Sequence, residues 1–371
     1  LSTFDLDPAL IYLNHAAVAP WPVRTANAVT RFAEENRRLG ASQYPRWLEV
    51  EQQLRQQLAE LINAPSQDDI ALLKSTSEGL STIAYGLDWR NGDNIVSIAQ
   101  EFPSNRIVWE SLRSRGVELR LLDLQGSSNP EQDLIGLCDH RTRLVAVSSV
   151  QYASGLRLHL LPLGKHCREH QMLFCVDAIQ SLGALDFDVQ RNLADFVVAD
   201  GHKWLLGPEG TALFYCRAEL RERLQLQQYG WHMVEQAGDF ERRDWTPARS
   251  ARRFECGSPN MLGIHALQAS LSLILEQDLE SIERRILANT RSVIDEVEQR
   301  DFELISPRAE QRRSGILTFR VPGEDPQRLQ RELMGQGVIC ACRGGGIRFS
   351  PHFHNTPTQI REAFVRLDRL I

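Results

Sequence analysis

Short runs of apolar and β-branched residues alternate along the chain with stretches whose apolar positions return every three or four residues, which predicts strands interleaved with helices. The predicted strands are DIALLK (69–74), NIVSIA (94–99), VELRLLD (117–123), RLVAVSSV (143–150), QMLFCVDA (171–178), DFVVAD (195–200) and TALFYC (211–216). Between them Trp47, Val50, Leu54, Leu58 and Leu61 repeat at helical spacing, and 78–87, 104–115 and 162–170 also read as helices. The alternation predicts an α/β fold with a mainly parallel seven-stranded sheet covered on both faces. From residue 262 the pattern changes to long helices (Leu271, Ile274, Leu275; Ile282, Ile286, Val293, Ile294, Val297), then the strands GILTFRV, VICAC and GIRFS and a final helix, which predicts a smaller α+β domain. The segment 217–257 between them is polar, rich in Arg and Glu and without periodicity. Ordered connections of that length usually line sites or subunit contacts.

At 371 residues the chain exceeds the roughly 250–300 residues at which one core stops growing, so two domains are expected. The division is placed at 16–257 for the large domain, with 1–15 and 258–371 forming the small one. Acids outnumber bases, 48 to 42, with the two mixed and no basic stripe, which argues against a nucleic-acid partner. No apolar run is long enough for a membrane span, and LSTFDLDPAL lacks the basic and apolar segments of a signal peptide, so a cytoplasmic location is expected. Seven cysteines without a C-x-x-C pair fit neither a disulfide framework nor a zinc site, and Cys175 and Cys216 read as buried thiols.

The densest chemistry lies in FVVADGHKWLLGPEGTALFYCR (196–217), where a strand ends in a turn carrying His202 and Lys203. Ligands of open α/β sheets collect beyond the carboxyl ends of the strands. A lysine kept partly neutral there suits attack on an aldehyde cofactor, the alternative being a solvated loop lysine. Upstream, LFCVDAIQS puts Asp177 at another strand end and Gln180 shortly after. Pyridoxal phosphate needs an acid to keep its ring nitrogen protonated, and Asp177 would serve, with Gln180 donating to the phenolic oxygen. Asp177 reads equally well as a helix N-cap. In LLKSTSEGLSTIAYGL, the residues Ser75, Thr76 and Ser77 open a helix whose free N–H groups suit a phosphate, although Ser75-Thr76-Ser77-Glu78 also fits a capping box.

These segments, with YLNHAAVAP (12–20), RRFECGS (252–258) and GGIRFSPHFHNT (344–355), resemble the class V aminotransferase family. That family includes cysteine desulfurases, selenocysteine lyases, isopenicillin N epimerase-like proteins and kynureninase. The resemblance implies fold type I and a pyridoxal 5'-phosphate cofactor held as a Schiff base on Lys203, which also shuttles the Cα proton. It implies Asp177 at the ring nitrogen, Gln180 at the phenolic oxygen, and His202 with Thr76 and Ser77 at the phosphate. Ser258 would reach the phosphate of a neighbouring subunit in a homodimer, with Arg253, Phe254 and Glu255 at the interface. Arg348 would clamp the α-carboxylate of an amino-acid substrate, a task for a planar guanidinium. Asn14 and His15 would line the same pocket, and Gln151 or Tyr152 would approach the ring.

Several positions depart from the family pattern. Cysteine desulfurases carry a histidine after the glutamate of a Glu-His motif, where this chain has Phe102, which can stack on the cofactor but cannot move a proton. Only CACRGGG precedes Arg348, leaving no room for a loop bearing a persulfide-forming cysteine, so Cys340 and Cys342 read as strand residues. Asp200 stands where relatives have a phosphate-binding hydroxyl and should turn toward a backbone amide or His202. His166 with His170, and His352 with His354, have metal-like spacing but no third ligand in sequence, and no metal is expected. These departures rank an aminotransferase or a Cβ-eliminating lyase first and a desulfurase or epimerase second. A catalytically retired scaffold is the contrasting reading.

Overall fold

The computed structural model describes residues 3–371, so the first two residues of the expected 1–15 segment lie outside the described residues. In chain order the strands begin with β1 (Ile11–Tyr12), β2 (Ile70–Leu73), β3 (Asn94–Ile98), β4 (Glu118–Leu122), β5 (Thr142–Ser148), β6 (Leu173–Asp177), β7 (Phe196–Asp200) and β8 (Ala212–Cys216). They end with β9 (Glu303–Leu304), β10 (Leu317–Arg320), β11 (Val338–Ile339), β12 (Ala341–Arg343) and β13 (Gly346–Phe349). All seven strands expected in the large sheet form, in the order β2-β8-β7-β6-β5-β3-β4. Only β8 runs against its neighbours.

Alternation along these strands sends side chains to two separate cores. Val96, Val145, Val147, Phe174, Val176, Val197 and Ala199 enter one apolar cluster, while Ile95, Leu144, Ala146, Cys175, Phe196, Val198 and Cys216 enter another. With both faces covered, strands such as β6 and β7 are buried at every position, which is why they read as solid apolar runs. Strand β4 lies at the sheet's edge, and none of its residues is fully buried.

The four-stranded sheet β12-β13-β10-β9 builds a third cluster with the helices Leu279–Gln299, Pro326–Gly335 and Pro357–Asp368. The helix Met261–Glu276, assigned by the sequence to the small domain, instead buries Ile264, Leu267, Leu271 and Ile274 in a large-sheet cluster. The chain thus returns to the large body after residue 258 before entering the third core. VICAC is not one strand: β11 pairs in parallel with β1 and β12 pairs with β13, so the chain changes sheets at the buried Cys340. The two-stranded β1–β11 sheet holds the N-terminal stretch beside the third core, with Asn14 bridged to Ser350 just after β13.

Candidate active site

The carboxyl ends of β2, β3, β5, β6 and β7 face the same way, so residues 74–77, 101–102, 148–152, 177–180 and 200–203 meet in one crevice. Lys203 is 7% exposed, which rules out a solvated loop lysine. Burial lowers its amine below the usual lysine value; Asp177 opposes this and Arg348 reinforces it. Asp177, at the end of β6, is buried as well. Its pKa is raised by burial and by the charge of Glu101, and held back by the Ile179 N–H it accepts at 3.0 Å and by Lys203. That bond to Ile179 closes a turn and no helix follows, so Asp177 is a turn residue and not a helix cap.

Helix Thr76–Gly86 starts as the capping grammar foresees, with Ser75 Oγ accepting the Glu78 N–H. The box is not closed, because the Glu78 carboxylate takes the Lys74 N–H instead of that of Ser75. Ser77 Oγ donates to Ser104 Oγ. Thr76 Oγ1 is buried without a partner among the described residues, and the first N–H groups of a helix have no acceptor within it. A phosphate fits that set of donors. His202 Nδ1 lies 3.0 Å from Asp200 Oδ1, out of line for a hydrogen bond, so Asp200 faces His202.

Gln180 is fully engaged at its oxygen, which accepts from the Trp204 indole at 2.9 Å. Its amide donates to the Ala16 carbonyl at 3.1 Å, leaving one N–H. The Phe102 ring lies 5.4 Å from Lys203 Nζ and stands edge-on to Tyr152 at 5.2 Å. It is 41% exposed. Gln151 is buried and donates to Glu101 at 3.0 Å, and its Oε1 has no partner among the described residues. Tyr152 thus stands beside Phe102, while the Gln151 amide turns to Glu101.

Arg348 in β13 is 2% exposed. Its Nη1 donates to the Tyr152 carbonyl at 2.8 Å and its Nη2 approaches Asn14 Oδ1 at 3.4 Å, while Nε has no partner among the described residues. Burial and the nearby Arg343 lower its pKa to about 10. An anion fits an orphaned guanidinium edge of this kind. His15 is committed elsewhere. Its Nδ1 sits 2.9 Å from the Ser350 carbonyl, which can only accept, so Nδ1 carries the hydrogen. Its Nε2 therefore accepts from His354 Nε2 at 3.0 Å. His15 is thus a third histidine beside His352 and His354 that sequence spacing did not reveal, hydrogen-bonded to His354 and in ring contact with His352.

Ser258 opens on the same groove as Lys74 and Glu78, beside the start of helix Thr76–Gly86. Of the expected interface residues, Glu255 points inward: it is buried and accepts from Arg55 and from the Leu72 N–H. Cys340 is buried, which pushes its thiol up to about 12. Cys342 stays in β12 opposite Ile347, and Gly344 and Gly345 turn the hairpin at positive φ. Sequence reasoning missed Glu101, whose carboxylate takes the Ser148 N–H at 2.7 Å, the Ser148 hydroxyl and Gln151. The available signal was an acid shortly after the predicted strand NIVSIA.

A family model described as Aminotransferase class-V matches residues 11–363. A probable cysteine desulfurase of Methanothermobacter thermautotrophicus is 31% identical over 95% of this chain and 92% of its own length. A cysteine desulfurase of Escherichia coli O157:H7 is 30% identical over 84% of this chain and 77% of its own. Among solved structures, the cysteine desulfurase of Thermococcus onnurineus NA1 superposes with a TM-score of 0.87 at 24% identity, covering 98% of this chain and 94% of that one. A cystine C–S lyase solved with cysteine persulfide gives 0.89 at 24% identity, over 96% and 97%.

Proposed function

Because the chain belongs to the class-V aminotransferase family, we propose that it is a pyridoxal-phosphate enzyme that breaks the Cβ–S bond of cysteine or a cysteine derivative. The sequence alone ranked transamination or elimination ahead of desulfuration; the curated relatives favour sulfur chemistry. The observation that carries the reading is the burial of Lys203 and Asp177 in one crevice with the unsatisfied edge of Arg348.

In this reading Lys203 holds the cofactor covalently, Asp177 takes the ring nitrogen, and Thr76 with the opening N–H groups of its helix takes the phosphate. The last N–H of Gln180 is left for the phenolic oxygen. Bound there, pyridoxal phosphate supplies an electron sink that weakens the bonds to the substrate Cα. Arg348 grips the α-carboxylate through its free edge, which fixes the amino acid for reaction. Lys203, an amine with a lowered pKa, takes the proton from Cα. Phe102 sets its ring against Lys203, with Tyr152 edge-on behind it, and gives the crevice an apolar wall. Two chains form the working unit, with Ser258 at the neighbouring phosphate, and the compartment is the cytoplasm.

A second outcome within this reading is favoured by Cys342. Desulfuration to alanine needs a thiolate to accept the sulfur, and the thiol nearest to Arg348 in sequence is held in a paired strand with burial raising its pKa. Elimination needs no such thiol, since sulfur leaves as sulfide or persulfide, and water then yields pyruvate and ammonia. Incubation with L-cysteine and L-cystine, scoring alanine, pyruvate, sulfide and persulfide, tests both. Alanine without pyruvate selects desulfuration, and pyruvate with ammonia selects elimination. Amino-group transfer without any sulfur product overturns the proposal.

A further inference from the structure

Glu101 has no task in the chemistry above, yet its position is closely determined. It lies three residues after the end of β3 and is 4% exposed. Burying a carboxylate is costly unless its oxygens are satisfied. Here the partners are all neutral: the Ser148 N–H at 2.7 Å, the Ser148 hydroxyl, and the Gln151 amide at 3.0 Å. Ser148 is in turn the register partner of Asp177 across β5 and β6, so the residue that fixes Glu101 also sets it beside Asp177. Gln151 is oriented by the same bond, since a flipped amide would turn its oxygen against the carboxylate.

We infer that Glu101 is a positioning residue for Asp177: a second buried carboxylate, fixed through Ser148 and Gln151, whose negative charge makes Asp177 retain a proton. The inference rests on the reading of Asp177 as the partner of the cofactor's ring nitrogen, a pairing that works only while a proton lies between them. A negative charge close by strengthens that hold. The groups that face Asp177 are Lys203 and Asp200 from the end of β7, Cys175 on its own strand, the Ile179 N–H, and Glu101 from the end of β3. Lys203 lowers the proton affinity of Asp177, and Glu101 and Asp200 raise it.

Glu101→Gln separates charge from packing. The amide oxygen can still accept from Ser148 and Gln151, and its NH2 can meet the Ser148 hydroxyl, so a merely structural role would survive. The measurement is the carboxyl ¹³C resonance of Asp177, assigned by its loss in Asp177→Asn and followed against pH in the full-length chain without added cofactor. The wild-type midpoint is expected above the ordinary aspartate value of about 3.9. Glu101→Gln should lower it by about one pH unit, a tenfold loss of proton affinity, and Glu101→Asp should keep most of the shift. An unchanged midpoint in folded Glu101→Gln overturns the inference. If that variant does not fold, a wild-type midpoint in the ordinary aspartate range overturns it equally. A chain that shows the shift but takes up no pyridoxal phosphate overturns the function proposed above and leaves this coupling standing.

Discussion

Arg348 donates to the Tyr152 carbonyl at 2.8 Å while its Nε, equally buried, meets no acceptor among the described residues. A buried cation with one edge unclaimed is costly in isolation, and a carboxylate would satisfy it with two parallel bonds. Lysine keeps the charge but loses the fork. Arg348→Lys should therefore lower kcat/KM for the amino acid by about a hundredfold, within the 2–5 kcal/mol that unpairing a buried charged contact costs. Cofactor uptake should be unchanged. Steady-state kinetics with a parallel pyridoxal-phosphate titration check this, and a loss under threefold would remove Arg348 from substrate binding.

Lys203 and Asp177 make a second prediction, because burial lowers the lysine and the aspartate works against it. Only a neutral amine attacks an aldehyde. Capture of pyridoxal phosphate by the chain should accelerate with rising pH and level off below the ordinary lysine value of about 10.4. Asp177→Asn removes the opposing charge, so its midpoint should move lower and capture near pH 7 should become faster, although turnover is lost. Stopped-flow absorbance gives both midpoints. An upward move in the variant contradicts the electrostatic account.

The strand ends that carry this site were legible because the sheet is covered on both faces. FVVAD and LFCVD are unbroken apolar runs that stop at Asp200 and Asp177, and the site residues follow at once. The helix Val23–Leu39 left a fainter trace: Thr25 and Ala28 are buried and Phe32 packs on the large core, but small and polar residues make up most of that face. The break at Cys340 was invisible because both halves of VICAC are equally strand-like, and only the partners β1 and β13 divide them. Contacts across long sequence separations were also hidden. Glu101 meets Ser148 and Gln151, and His15 meets His354 from the far end of the chain, through the arrangement of strands.

The pair Arg55 and Glu255 shows the cost of an internal ion pair being broken. Two bonds, of 2.5 and 2.7 Å, join them in a buried position, and Glu51 takes another bond from the same guanidinium. Removing one partner of a buried pair leaves an uncompensated charge, a loss of about 3–5 kcal/mol. Arg55→Met strands both Glu51 and Glu255 and should lower the midpoint of urea unfolding accordingly. Triple replacement by Glu51→Met, Arg55→Met and Glu255→Leu should recover much of that loss, because no stranded charge is left. Equal instability of the single and triple variants would show that the cluster acts through packing alone.

The His352 ring predicts how the fold responds to acid. Burial above all, with His354 beside it, lowers its pKa to about 3, and burial lowers that of His354 to about 4. The hydrogen bonds give the reason: Nε2 faces the Trp204 carbonyl at 3.1 Å, and Nδ1 accepts the Phe353 N–H at 2.8 Å, so a second ring proton would be driven against a donor. An unfolded histidine titrates near 6.5. Between about 6.5 and the folded values the unfolded chain binds protons that the folded chain refuses, so stability falls as pH drops through that window. The slope is about 1.4 kcal/mol per pH unit for each such ring. No contribution from these rings is expected above pH 7. Urea unfolding at pH 7.5, 6.0 and 5.0 should show the loss, and His352→Gln, which does not titrate, should flatten it by one ring's worth. An identical pH slope in the variant would mean that His352 already carries its proton in the folded chain.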